Sequence, residues 1–204
     1  MDKQEYLNQI SASNRPNKAS KLSEILSSKF FWIGVIGIGA FIIILIIGSL
    51  LGGKKSTKDE VTALILHINN TSEVIENYQQ NVKSSGLRAY SATLKSVLSD
   101  ASRDLTIYAA DKYNFGEEDP KESLIEEEAI AREELESELF EAKINGILDR
   151  IYAHKMAYEI YIITDKEAQL LKSTDDETLE AILNTSYNNL DLLYSKFDEF
   201  SETK

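Results

Sequence analysis

The chain reads as all-α: one membrane-spanning helix followed by an antiparallel bundle of long helices. Three observations predict it. Residues 30–53 run for 24 positions without a charged side chain. Beyond them the apolar residues recur at alternating spacings of three and four, the period of an amphipathic helix. Glycine and proline, the strongest breakers, are reduced there to Gly86, Gly116, Gly146 and Pro120.

The uncharged run includes Phe30, Trp32, Ile42, Leu45 and Leu51 and is bounded by Lys29 and Lys54. As a helix it is roughly 36 Å long, enough for a hydrocarbon layer of about 30 Å. Its apolar residues cover every face of the helix, unlike the single stripe of a soluble surface helix. A polar stretch of 29 residues precedes it, too long for the start of a cleaved signal peptide, and no small-x-small cleavage pattern follows Leu51. The segment is expected to be an uncleaved, single-pass signal anchor. Residues 1–19 read as a polar tail, and residues 20–53 as an interfacial helix running into the span, with Trp32 at the lipid boundary. Gly48 and Gly52 match a small-residue helix-pairing motif at one end, which leaves a homo-oligomer open.

Charge divides the chain. Residues 1–55 hold seven basic and three acidic groups, a net of +4, so with −12 overall the remainder carries −16. So acidic a domain repels phosphate backbones, which argues against nucleic acid as a partner. Arg15, Lys18, Lys21 and Lys29 on one side of the span against Lys54, Lys55 and Lys58 on the other favour a cytoplasmic N-terminus and an extracytoplasmic C-terminal domain at the cell membrane. Cysteine is absent, which excludes disulfides, thiolate catalysis and thiolate metal sites.

Residues 57–204 are the acidic helical bundle. Thr57-Lys58-Asp59-Glu60 has the form of a capping box, followed by Val61, Leu64, Ile65, Ile68, Ile75, Tyr78 and Val82 on one stripe that ends before Ser84-Ser85-Gly86. The second helix carries Leu87, Tyr90, Leu94, Val97, Ala101, Leu105 and Tyr108, and stops at Asn114-Phe115-Gly116. The last opens on a second capping box, Thr174-Asp175-Asp176-Glu177, and carries Leu179, Ile182, Ser186, Leu190, Leu193, Phe197 and Phe200. Between Pro120 and Ser173 the apolar phase of Phe140, Ile144, Ile147, Ile151, Tyr158 and Tyr161 runs straight across Gly146. One helix of about 50 residues with a tolerated glycine is therefore expected, giving a bundle of four helices; a break at Asn145-Gly146 would make five.

Chemistry is hard to find. Neither histidine lies in a Glu-x-x-His or His-x-x-x-His arrangement, since Leu64 precedes His67 and Ile151 precedes His154 at the distance a di-iron bundle needs glutamate. No phosphate-cradling loop or nucleophile elbow is present, so neither a cofactor nor catalysis is expected. Two weaker candidates remain. Tyr152, His154, Tyr158 and Tyr161 cluster within ten residues and offer aromatic faces and one titratable ring for a ligand pocket between helices, although aromatics at helical spacing more often fill a core. Residues 117–141 hold twelve carboxylates against Lys121 and Arg132, and Glu126, Glu127, Glu133, Glu134 and Glu138 form a candidate docking face for a basic protein partner; a solvated helix face is the plainer alternative. Calcium is disfavoured there, because carboxylates strewn along a helix do not converge on one ion.

The order of signal anchor and helical domain is similar, in architecture alone, to the sensor domains of bacterial chemoreceptors. The expectation is a membrane-anchored binding or scaffold module at the cell envelope. An extracytoplasmic small-ligand sensor working through a membrane partner and a cytoplasmic-facing adaptor are the alternatives.

Overall fold

A computed structural model describes residues 56–116 and 120–202. The chain divides into two units, residues 1–54 and 55–204, and the described residues belong to the second. The expected anchor with Phe30, Trp32, Ile42, Leu45 and Leu51, and the expected tail before it, lie outside the described residues. Among those described, no helix is long and apolar enough to cross a membrane.

Five α-helices form among the described residues: α1 (Thr57–Tyr78), α2 (Ser85–Tyr113), α3 (Glu122–Ile144), α4 (Leu148–Ser173) and α5 (Glu177–Glu202). Four of them close a ring in which α1 packs on α2, α2 on α5, α5 on α4, and α4 back on α1. Cross-helix partners fix the directions. On α1 and α2, Asn69 bonds Ser102 and Glu76 pairs with Lys95, so the numbers rise on one helix as they fall on the other. Tyr90 meets the edge of Phe197, and Lys112 reaches Asp176, in the same antiparallel sense for α2 and α5. The result is a four-helix core filled by Leu64, Ile68, Leu94, Leu98, Tyr152, Met156, Leu183, Leu190 and Phe197.

The fifth helix, α3, lies in the groove between α1 and α4. Asp59–Lys121, Glu73–Arg132 and Tyr78–Glu136 keep step along α1 and α3, so that pair is parallel. Against α4 it is antiparallel, through Glu128–Lys166 and Glu138–Lys155. Its buried apolar side chains are Leu124, Leu135, Leu139 and Ala142, a thin stripe for 23 residues.

The expected continuous helix from Pro120 to Ser173 is corrected by the geometry at Gly146. The Ile147 N–H donates to Ala142 O at 3.0 Å and the Gly146 N–H to Lys143 O at 3.2 Å, with Gly146 at φ 73°. These are the two bonds of a Schellman C-cap, which turns the chain into α4. The misleading phase came from the wrong face. Phe140, Ile144, Ile147, Tyr158 and Tyr161 all point outward, while the neighbouring rows with Leu135, Leu139, Leu148, Tyr152 and Met156 point in.

Two caps also differ from expectation. Ser56, not Thr57, caps α1, its Oγ accepting from the Asp59 N–H at 3.3 Å. Asp176 caps α5, its Oδ1 accepting from the Thr178 N–H at 2.9 Å and the Leu179 N–H at 3.2 Å, while Thr174 Oγ1 takes the Asp176 N–H two residues earlier. Gly86 is no joint but sits in the first turn of α2; α1 ends instead through the short 3-10 turn Gln79–Asn81. The two N–H groups that follow that turn, those of Lys83 and Ser84, are held by the Asp149 carboxylate at 2.9 and 2.8 Å, tying the α1–α2 joint to the start of α4. At the other end of α2, Asn114 takes the left-handed conformation at φ 55°, as the expected stop requires.

Candidate functional site

Four ionisable side chains meet where α3 crosses α1 and α4. His67 of α1 stands between two carboxylates: its Nδ1 is 2.7 Å from Glu128 Oε2 of α3, and its Nε2 is 3.0 Å from Glu159 Oε2 of α4. The first contact is an aligned hydrogen bond, and the second is an ion-pair approach without that alignment. Lys166 of α4 closes the group, donating to Glu128 Oε1 at 2.9 Å. Asn70 donates to the Glu128 carbonyl at 3.1 Å, and the Thr71 hydroxyl lies 3.5 Å from Glu159 Oε2. With the ring protonated, two cations balance two carboxylates in a buried setting.

Burial of His67 disfavours its charge, but the hydrogen bond with Glu128 and then the close Glu159 carboxylate outweigh that and raise the ring above its ordinary pKa. Burial also disfavours the Glu128 carboxylate; the bond to His67 and the charges of His67 and Lys166 prevail and hold it below the usual carboxylate range. Such a group is costly to break, because removing one partner strands the others away from water. The arrangement does not suit a metal. The two imidazole nitrogens point in opposite directions, each toward its own carboxylate, so no single ion can take all three. Among the described residues no group of three His, Cys, Asp or Glu is placed to hold one.

A second buried acid lies on α4 about two turns beyond Glu159. Glu167 is fully enclosed, neither carboxyl oxygen has a hydrogen-bond partner, and burial pushes its pKa up to about 7. Ser186 of α5 faces it and partly opposes that rise, although its Oγ is not aligned for a hydrogen bond.

The four predicted pocket residues separate. Tyr152 is wholly inside, its hydroxyl beside Ser91 and its pKa pushed up to about 12 by burial. His154 is exposed, and Tyr158 and Tyr161 are 40% and 56% exposed on the outer side of α4. They stand on the side of α4 opposite Tyr152.

The predicted docking residues stay together. Glu126, Glu127, Glu133, Glu134 and Glu138 are all exposed on α3, with Glu138 engaged by Lys155. Both basic residues within the helix are set apart from its outer row: Arg132 pairs with Glu73 and Glu136 toward α1, and Lys143 sits in the last turn. Beside the glutamates α3 exposes four large apolar side chains that sequence periodicity had assigned to no surface role: Ile125, Ile130, Phe140 and Ile144, at 46%, 59%, 56% and 68% exposure.

No local motif announces the buried quartet, because the partners of His67 come from other helices and not from one turn away. A signal was present nonetheless. Glu128, Glu159 and Glu167 each fall on the inward phase of their helices, in register with Leu124 and Leu135, with Met156 and Ile163, and with Ile160 and Leu170. Comparison with known proteins finds no matching family model, curated protein or solved structure.

Proposed function

We propose that this protein is a membrane-anchored binding or scaffold module of the cell envelope, working without catalysis, and that it meets a protein partner through the outer face of α3. The observation that carries it is the two-sidedness of that helix. Inside, α3 packs on α1 and α4 of the four-helix core through Leu135, Leu139 and Ala142 and a buried charged group; outside, it offers carboxylates around exposed Ile130, Phe140 and Ile144. Monomers seldom leave large apolar side chains grouped on a surface with no use for them. The uncharged run at 30–53 supports the anchor, which raises the local concentration of the bundle for a neighbour in the same membrane.

The test is a pull-down from membranes using the full chain with its anchor. A defined neighbour should be recovered with the unaltered protein and lost when Glu126, Glu133 and Glu134 are replaced by Gln. Equal recovery from both, or none from either, contradicts docking through α3, and full-length chain in the supernatant after detergent-free lysis contradicts the anchor. Protease added to intact cells separates the extracytoplasmic placement from a cytoplasmic-facing adaptor, because only the former is digested. The small-ligand sensor has weaker support, since three of its four pocket residues face solvent.

A further inference from the structure

The outer surface of α3 carries an order that its acidity conceals. Glu126, Ile130, Glu133, Ser137, Phe140 and Ile144 follow one another at steps of four, three, four, three and four. That is the spacing of a coiled-coil seam, the row along which one helix receives the side chains of another. All six are exposed, and they lie opposite the row of Leu124, Glu128, Leu135, Leu139 and Ala142 that faces α1 and α4. One helix therefore has two seams, of which the bundle uses one.

The composition of the free seam restricts what can lie on it. Its apolar members call for a partner with apolar side chains at matching steps. Its acidic members, flanked by Glu127, Glu134 and Glu141, call for positive charge beside them. A second copy of α3 would set glutamate against glutamate, where like charges repel. An anionic lipid surface is excluded on the same ground. We propose that the outer seam of α3 receives a basic amphipathic helix of the partner, packed lengthwise as a two-stranded coiled coil, with apolar residues over Ile130, Phe140 and Ile144 and lysine or arginine over Glu126 and Glu133. This rests on the reading of α3 as the docking helix and adds the shape and charge of what docks.

The probes are three synthetic peptides of about three heptads. One has leucine along its seam and lysine beside it, one has the same seam with glutamate beside it, and one has the lysine peptide's composition in scrambled order. Each is titrated against the full chain in phosphatidylcholine nanodiscs, whose neutral surface does not attract lysine. The lysine amphipath should bind with shifts confined to residues 126–144. Its affinity should fall about tenfold or more with Ile130→Ser or Ile144→Ser, and should weaken as salt rises from about 0.1 M to about 1 M, which shortens the screening length from ~10 Å to ~3 Å. The glutamate and scrambled peptides should not bind. Both serine variants alter exposed positions, so folding is preserved. Equal binding of the scrambled peptide, unchanged affinity in the serine variants, or shifts mapped elsewhere overturns the helix-on-seam inference. If the membrane pull-down recovers a neighbour through α3 while the lysine amphipath fails, docking stands and the helical partner is wrong; if the pull-down recovers none, docking itself has failed.

Discussion

His67 Nδ1 and Glu128 Oε2, 61 residues apart in sequence, lie 2.7 Å apart inside the bundle and join α1 to a helix that the four-helix core does not need for closure. Removing the ring by His67→Ala strands Glu128 and Glu159 in a buried site. Loss of stability of about 3–5 kcal/mol is expected, by analogy with broken buried ion pairs. Replacing His67, Glu128 and Glu159 together by Leu, Met and Leu should cost far less, because only Lys166 then loses its partner, and its side chain, 32% exposed, reaches solvent. Urea denaturation of the two variants distinguishes a charged latch from mere packing: equal losses would count against the latch.

Buried Glu167 makes stability fall as pH rises toward neutrality. Glu167 ionises near 4.5 when unfolded and at about 7 when folded, so across that window the native state holds a proton that the unfolded chain has released. Stability then declines as pH climbs from 4.5 to 7, by roughly 3 kcal/mol in all. His67, raised when folded, adds stability that is complete below about 6.5 and is lost as pH rises through its folded value. Glu128, lowered when folded, works in the opposite range: its contribution is present above 4.5 and disappears as pH falls through its folded value. Denaturation midpoints between pH 4 and 9 should therefore peak on the acid side of neutrality. Glu167→Gln should flatten the slope between pH 5 and 7 and raise stability at pH 8; an unchanged slope would show that Glu167 is not the titrating group.

Gly146 holds φ 73° with open space where a Cβ would stand. Gly146→Ala should therefore cost about 1 kcal/mol through backbone strain alone, and Gly146→Asn less, since asparagine tolerates the left-handed region. Thermal melts of both variants check this. No loss with alanine would mean that the α3–α4 joint can be made without the left-handed turn.

The reversed stripe of α3 has its own test in two neighbouring residues. Leu139 is fully buried and Phe140 is 56% exposed. Leu139→Ala should cost about 2–5 kcal/mol, whereas Phe140→Ser should stay within about 0.5 kcal/mol. The opposite ranking would restore the outward row to the core.

The helical class and the stops at Asn114 and Ser173 were legible from sequence, since breakers and caps act over a few residues. Gly146 was harder. Its neighbours Phe140, Ile144 and Ile147 form a helical row as regular as any core stripe, and periodicity records only that a row exists, not which way it faces. The same limit hid the latch. His67, Glu128, Glu159 and Lys166 come from three helices, and nothing local joins them; only the inward phase of Glu128 and Glu159 marked them as charges the fold would have to neutralise. The exposed glutamates of α3, by contrast, were visible at once, because exposure of a carboxylate needs no tertiary partner.

The most direct measurement is site-specific photocrosslinking of the full chain in its own membrane, with the photoreactive residue at position 133 on the outer face of α3 or at position 191 on the exposed side of α5. A single crosslinked neighbour from position 133, absent from position 191 and diminished by Ile144→Ser, is the predicted result. Equal crosslinking from both positions, or none from position 133, would contradict α3 as the helix through which this bundle meets its partner.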